Sequence, residues 1–336
     1  MSHFSVCVVV PHEDFRGPLS YEKVESAVDR ILAPYWESTE DPEFLDFVDK
    51  TDEAKADFES GTLRAVKLPD GRIAGEYESV VHDRFTITED NTILLKSQKI
   101  GEPPRETDET RAMECLPEYP LSKYYPSFEE YCEKYCSYTQ DSCGRWGYYC
   151  NELAKWDWFE IGGRFSGLLL TRAEATEVLP ATRDDDQKPE LDGYRAVNAA
   201  RMKDIAWEKI LELRRDNAKK TYERLEKAYR TKDKNLCQLM ETIVEDGIQG
   251  WGEMRYYKGE TLEEYLTRSG LTDADRCPIS VYAVVERNGE WSGSGDMGWF
   301  GISSNDKPER EWHDELQTIM RDVEPDDLLV CVDCHI

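Results

Sequence analysis

Two β-branched runs near opposite ends of the chain constrain its fold more than anything between them. Residues 4–10 read Phe-Ser-Val-Cys-Val-Val-Val, and residues 328–335 read Leu-Leu-Val-Cys-Val-Asp-Cys-His. Successive side chains of a strand point to opposite faces. Phe4, Val6, Val8 and Val10 therefore make one apolar face, with His3, Ser5, Cys7 and Val9 on the other. In the second run Leu328, Val330, Val332 and Cys334 share a face, and Cys331, Asp333 and His335 project from the opposite one. Such strands belong in a core, and as terminal strands of one sheet the two runs can pair. That pairing makes residues 1–197 and 271–336 one discontinuous core domain, interrupted by an insertion at 198–270. If the runs pair, His3, Asp333 and His335 converge as candidate catalytic residues; the alternative is a polar strand end at the domain surface. An Asp that orients a His is the arrangement of general-base and metal sites. Cys331 and Cys334 have the spacing of a redox or zinc pair, but on a strand they face opposite sides, which favours packing.

Between the runs, helical and strand patterns alternate. Val24, Ala27, Val28, Ile31 and Leu32 form one stripe of a helix over Tyr21–Leu32, with Ser20 at its N-cap. Asp41–Phe58 is expected to be helical. Asp70-Gly71 and Asn288-Gly289 each supply the turn of a hairpin. The fold class expected is α+β: a mostly antiparallel sheet with surface helices. In the insertion, Leu211, Ala218, Tyr222, Leu225, Tyr229, Leu236, Leu239 and Ile243 recur at heptad-like intervals. A long helical hairpin turning near residues 231–234 would bury that seam, and a homodimer would bury it equally well.

Aromatic, glycine and arginine residues concentrate in Lys155–Gly167, Lys-Trp-Asp-Trp-Phe-Glu-Ile-Gly-Gly-Arg-Phe-Ser-Gly. On an extended backbone Trp156 and Trp158 share a face, with Asp157 and Phe159 on the other. Gly162-Gly163 permits positive φ or a close backbone approach. Arg164 offers a planar fork for carboxylate or phosphate. Joined by Trp299 in its glycine-rich segment, Trp156, Asp157, Trp158, Gly162, Gly163 and Arg164 make a candidate pocket for a nucleotide or another small anion. The competing reading is an aromatic mini-core pinned by Arg164 to Asp157 or Glu160. No Lys-Ser/Thr follows at P-loop spacing, and no Gly-x-Ser-x-Gly, kinase or His-Glu-x-x-His pattern is present. Cys132, Cys136, Cys143 and Cys150 follow a C-x3-C-x6-C-x6-C pattern that offers four thiols for zinc. It lacks paired C-x2-C knuckles, and buried packing is the alternative.

Charge narrows the function classes. Asp and Glu number 70 against 42 Lys and Arg, a net −28. A chain so acidic repels nucleic-acid backbones, so direct nucleic-acid binding is not expected. The same charge suits a decoy that occupies a basic groove on another protein. Nine Trp argue against general disorder. No basic n-region precedes the first apolar run and no transmembrane span is read, so a cytoplasmic location with reduced thiols is expected.

The blocks Met1–Val6, Lys155–Gly167, Gly-Trp-Phe-Gly at 298–301 and Val-Asp-Cys-His-Ile at 332–336 together give a resemblance. The chain resembles a family of phage- and prophage-encoded proteins that carry these blocks at the start, middle and end. The resemblance implies a viral or mobile-element origin and work inside a bacterial host cell. It brings no activity with it. Two functions are therefore expected as alternatives. One is a pocket that sequesters a small anion or, with His335 as base, turns it over. The other is an acidic inhibitor of a host nucleic-acid-handling or defence enzyme.

Overall fold

The computed structural model describes all residues except 1, 16, 98, 100, 182–190, 251 and 273–276, and of Trp299 the backbone only. The chain forms two compact units, Met1–Glu40 with Leu153–Ile336, and Asp41–Glu152. The fold is α+β with mostly antiparallel sheets.

The first unit begins with β1 (His3–Val10), α1 (Tyr21–Leu32), β2 (Trp158–Ile161), β3 (Leu169–Arg172), β4 (Val178–Pro180) and β5 (Tyr194–Arg201). It continues with α2 (Trp207–Thr231), β6 (Thr242–Val244), β7 (Gly247–Gln249), β8 (Tyr256–Tyr257) and α3 (Leu262–Arg268). It closes with β9 (Ala283–Val285), β10 (Trp291–Gly293), α4 (Glu309–Asp322) and β11 (Leu328–His335). The main sheet runs β3-β5-β11-β1-β9-β10, with β2 added to β11 and β4 to β5. The expected pairing of the first and last runs is present. β1 and β11 are antiparallel over their whole length, from His3 opposite His335 to Val10 opposite Leu328. Among the described residues of this sheet, β1 and β9 are the pair that runs parallel. The other edge of β11 is shared, β5 taking Leu328–Val330 and β2 taking Val332–His335.

Each face of the sheet buries its own core. Phe4, Val6, Val8, Val330, Val332 and Cys334 pack under Val24, Ala27, Val28 and Leu32 of α1. Val9, Val197, Val284 and Leu329 pack under Trp312, Leu316, Ile319 and Met320 of α4. Cys331 lies across from Cys7, away from Cys334, as the alternation requires. Burial pushes the Cys7 and Cys334 thiols well above their ordinary range. All ten cysteines are free thiols.

The expected helical hairpin is a single helix, and this is a correction. Leu211, Ala218, Leu225 and Ala228 of α2 do form a buried seam, but Ile248, Tyr256, Tyr265 and Leu271 cover it. Those residues belong to a small sheet (β6-β7-β8), α3 and the residues that follow it. Lys232 ends α2 in the left-handed conformation, with φ 55°. The chain then returns as a 3-10 turn and strands, with Leu239 89% exposed. Arg224 fixes the return, donating to both oxygens of Glu241 at 2.5 and 2.6 Å. Apolar spacing from Leu236 to Ile243 suited a second helix, yet a returning β-ribbon satisfies the same seam. The seam is thus covered within one chain. Ile210 of α2 also enters the α4-side core, so the region expected as a separate 198–270 insertion lies inside the first unit.

The second unit has its own cores. Thr62–Lys67 pairs with Ile73–Gly75 through the expected turn and, on its other edge, with Glu114–Pro120. Val66, Ala74, Val81, Phe85 and Ile93 make one cluster, and Ala54, Leu121, Tyr131, Cys132 and Trp146 another. Asp41–Phe58 is only partly helical: a 3-10 turn and the strand Asp46–Asp49 precede the helix Thr51–Ser60. No helix among the described residues is long and apolar enough to cross a membrane.

Candidate functional site

The polar ends of β1, β11 and β2 lie side by side, because the register sets His335 between His3 and Trp158. The Trp158 indole stacks on the His335 ring, with centroids 5.1 Å apart and planes at 21°. His3 meets His335 edge-on at 5.0 Å. Each imidazole is held through Nδ1 by a carboxylate. His3 Nδ1 lies 3.0 and 3.2 Å from the oxygens of Asp333, and His335 Nδ1 lies 2.6 Å from Asp157 Oδ1. Asp157 is fixed in turn, since its Oδ1 accepts the Trp158 amide at 2.7 Å while its own amide donates to the His335 carbonyl at 2.8 Å.

The trio expected from the sequence therefore does meet, with one change of partner. Asp333 holds His3, whereas His335 takes Asp157, a residue expected to touch ligand. The pairing of β2 with β11 causes this, and the sequence carried no direct signal for it. Asp333 and His335 are 1% and 3% exposed. Among the described residues, His335 Nε2 is buried with no hydrogen-bond partner. A carboxylate at Nδ1 fixes the tautomer that carries a proton there and leaves Nε2 to accept or donate one.

Gly162-Gly163 is where the main chain presses against this site. The φ angles are +78° and +44°. A Cβ at 163 would stand 2.5 Å from Asp333 Cβ and Oδ2, and one at 162 would stand 2.3 Å from Asn198 Nδ2. Both positions thus require glycine for conformation and for space. The expected close approach is real, and its object is the protein's own Asp333 and Asn198. The turn delivers the Arg164 amide to Asp333 Oδ2 at 2.9 Å, and Asn198 Oδ1 accepts the Gly167 amide at 2.8 Å.

The two tryptophans do not share a face, which corrects the alternation expected from Trp156 onward. Strand β2 begins only at Trp158, and Trp156 forms an isolated bridge to Trp36. Trp156 is 4% exposed, stacks on Trp36 and donates Nε1 to the Leu32 carbonyl at 3.1 Å. Trp158 is 43% exposed. Beside them runs a groove of about 520 Å³ between α1 on one side and Trp36 and residues 156–159 on the other, with Glu22, Glu25, Asp29 and Asp157 among its walls. The Arg164 side chain is exposed and does not line this groove. Trp299 opens a short 3-10 turn, Trp299–Gly301, which Ser2 tethers beside β1: Ser2 Oγ donates to the Gly298 carbonyl at 2.7 Å and accepts the Gly301 amide.

The four candidate zinc thiols are not brought together. Cys132 is buried in an aromatic cluster, Cys136 packs at its edge, and Cys143 is exposed. Helix Phe128–Lys134 ends before Cys136, and Cys150 sits at the far end of strand Trp146–Cys150, so spacing in sequence does not become proximity. Among the described residues, the His, Cys, Asp and Glu whose ligand atoms converge are His12, Glu324 and Asp327. That group sits at the other end of β11 and is already occupied by protein donors. Asp327 accepts the amides of His12 and Glu324 and the Arg287 Nε, each at 2.9 Å. Burial alone would raise the Asp327 carboxyl, but these amides, His12 and Arg287 outweigh it and hold it below its ordinary range.

No family model matches the chain, and neither a curated protein nor a solved structure matches it.

Proposed function

We propose that the protein binds and turns over a small ligand at the His3–His335 pair, with His335 Nε2 as the proton-exchanging atom. The observation that carries this is the buried, unpartnered Nε2 on an imidazole whose Nδ1 is committed to Asp157. Burying a polar atom without a partner is unfavourable, so a fold that keeps one has a use for it in another state. His3, backed by Asp333, meets the His335 ring edge-on at 5.0 Å and would serve as the complementary acid. The origin implied by the phage resemblance fits an accessory activity on a host metabolite. His335→Asn tests the reading, because the amide nitrogen of Asn mimics Nδ1 and keeps Asp157 bonded while Nε2 is lost. Thermal-shift screening of a metabolite panel should find a compound that raises the wild-type melting temperature and not that of the variant. A panel in which every response is equal in both proteins refutes it.

The net charge of −28 favours a second reading, an acidic inhibitor of a nucleic-acid-handling host enzyme. Such an inhibitor would hold a protein partner with strong salt dependence, and His335→Asn would leave that complex intact.

A further inference from the structure

We infer that the groove beside His335 receives an organic cation, an ammonium or guanidinium group carried by a small molecule. This deepens the reading above and rests on it only for the part His335 plays. Glu22, Glu25 and Asp29 stand three and four residues apart, so they share one face of α1. That face looks across the groove to Trp36 and Trp158, which are 37% and 43% exposed. Asp157, next to Trp158 in sequence, also lines the groove. Among the described residues, no Lys, Arg or His lines it. Lys155, two residues before Asp157, is turned to Asp296 at 2.9 Å.

Four carboxylates beside two part-exposed indoles suit one ligand chemistry. Indole faces attract ammonium and guanidinium groups, and the carboxylates add direct charge pairing. An anion placed there would meet four like charges. The walls are also fixed before any ligand arrives. Trp36 donates Nε1 to the Asp157 carbonyl at 2.8 Å, and Trp158 is stacked on His335. The volume of about 520 Å³ is that of a small-molecule site. An independent observation ties the groove to chemistry. His335, with its buried free Nε2, is bonded to one groove residue, Asp157, and stacked on another, Trp158. A cation against Asp157 would compete for the carboxylate that holds the imidazole, so binding and the state of His335 are coupled.

Calorimetry of the full chain at low salt tests this, with agmatine and butylammonium as cationic probes and AMP as the anionic one. Agmatine should bind the wild type, and Glu25→Gln/Asp29→Asn, both on the solvent side of α1, should weaken it at least tenfold. Histidine NMR should show the His335 ring signals moving when agmatine is added to the wild type. Absence of agmatine binding, equal binding in the carboxylate variant, or AMP binding that the variant leaves stronger or unchanged in the same groove overturns the inference. The two readings fail separately. Carboxylate-dependent agmatine binding that His335→Asn leaves unchanged, with no movement of the His335 signals, keeps the cation groove and removes the imidazole from its function. No agmatine binding, alongside a metabolite whose thermal shift depends on His335, removes the groove and keeps the imidazole.

Discussion

The two ends of strand β11 carry the same ingredients and use them differently. At the Leu328 end, Asp327 is fully buried beside His12, and its oxygens are filled by two amides, Arg287 and the imidazole. At the His335 end, Asp157 and Asp333 each hold an imidazole, yet among the described residues His335 Nε2 has no partner. One network closes on itself and the other stops one bond short. Buried polar groups that close their hydrogen bonds stabilise and specify a fold, whereas one left open costs stability. The two ends differ in whether their hydrogen bonds close, which neither residue type nor burial would have shown.

The largest effect is expected at the closed end. Asp327→Asn removes the charge that Arg287 and the two amides share, and should cost about 3 kcal/mol in denaturant unfolding. The sign with pH follows from its lowered carboxyl. Such a group contributes stability that is fully present above the ordinary carboxylate range and is lost as pH falls through its folded value. The wild type should therefore lose stability on acidification more steeply than Asp327→Asn, and parallel acid limbs would break the contrast.

A middle effect is expected where the backbone meets the open end. Gly163→Ala places a methyl on Asp333 at a φ of +44°, which should cost about 2 kcal/mol. The same change pushes Asp333 from His3, so the His3 ring signals should move in NMR spectra. A destabilised variant with unmoved His3 signals would detach the turn from the site.

The smallest effect on stability is expected at the vacancy itself. His335→Asn keeps the bond to Asp157 and deletes the unpartnered nitrogen, so melting should change by less than about 1 kcal/mol in free-energy terms, in either direction. A loss as large as that of Asp327→Asn would mean that His335 is a tie as well, and the distinction between the two ends would fail.

Much of the frame was legible before the structure, for a physical reason. Strand alternation is a strict two-residue period, so the faces of β1 and β11 follow from the residues alone, and the convergence of His3, Asp333 and His335 follows once the two strands pair. The Asp70-Gly71 and Asn288-Gly289 turns were legible because positive φ selects glycine, and Gly71 and Gly289 adopt φ of 85° and 86°. What failed depended on a pairing that no local pattern marks or on an element boundary. Trp156 precedes β2 rather than belonging to it, so its face could not be counted from Trp158. Asp157 reached His335 through β2–β11 pairing that no local pattern announces. The heptad seam of α2 was real, but apolar spacing names a surface to be covered and not what covers it.

The zipper between β1 and β11 has a consequence for synthesis on the ribosome. β11 fills the middle of the main sheet, with β1 on one edge and both β2 and β5 on the other. A nascent chain that has emerged past Ala283–Val285 but not Leu328 holds β1 with one edge open and two halves of a core with nothing between them. Closing a loop this long adds little further entropy per residue but delays the contacts that reward it. During that interval the Phe4–Val10 face is an exposed apolar template, the kind of intermediate that chaperones cover.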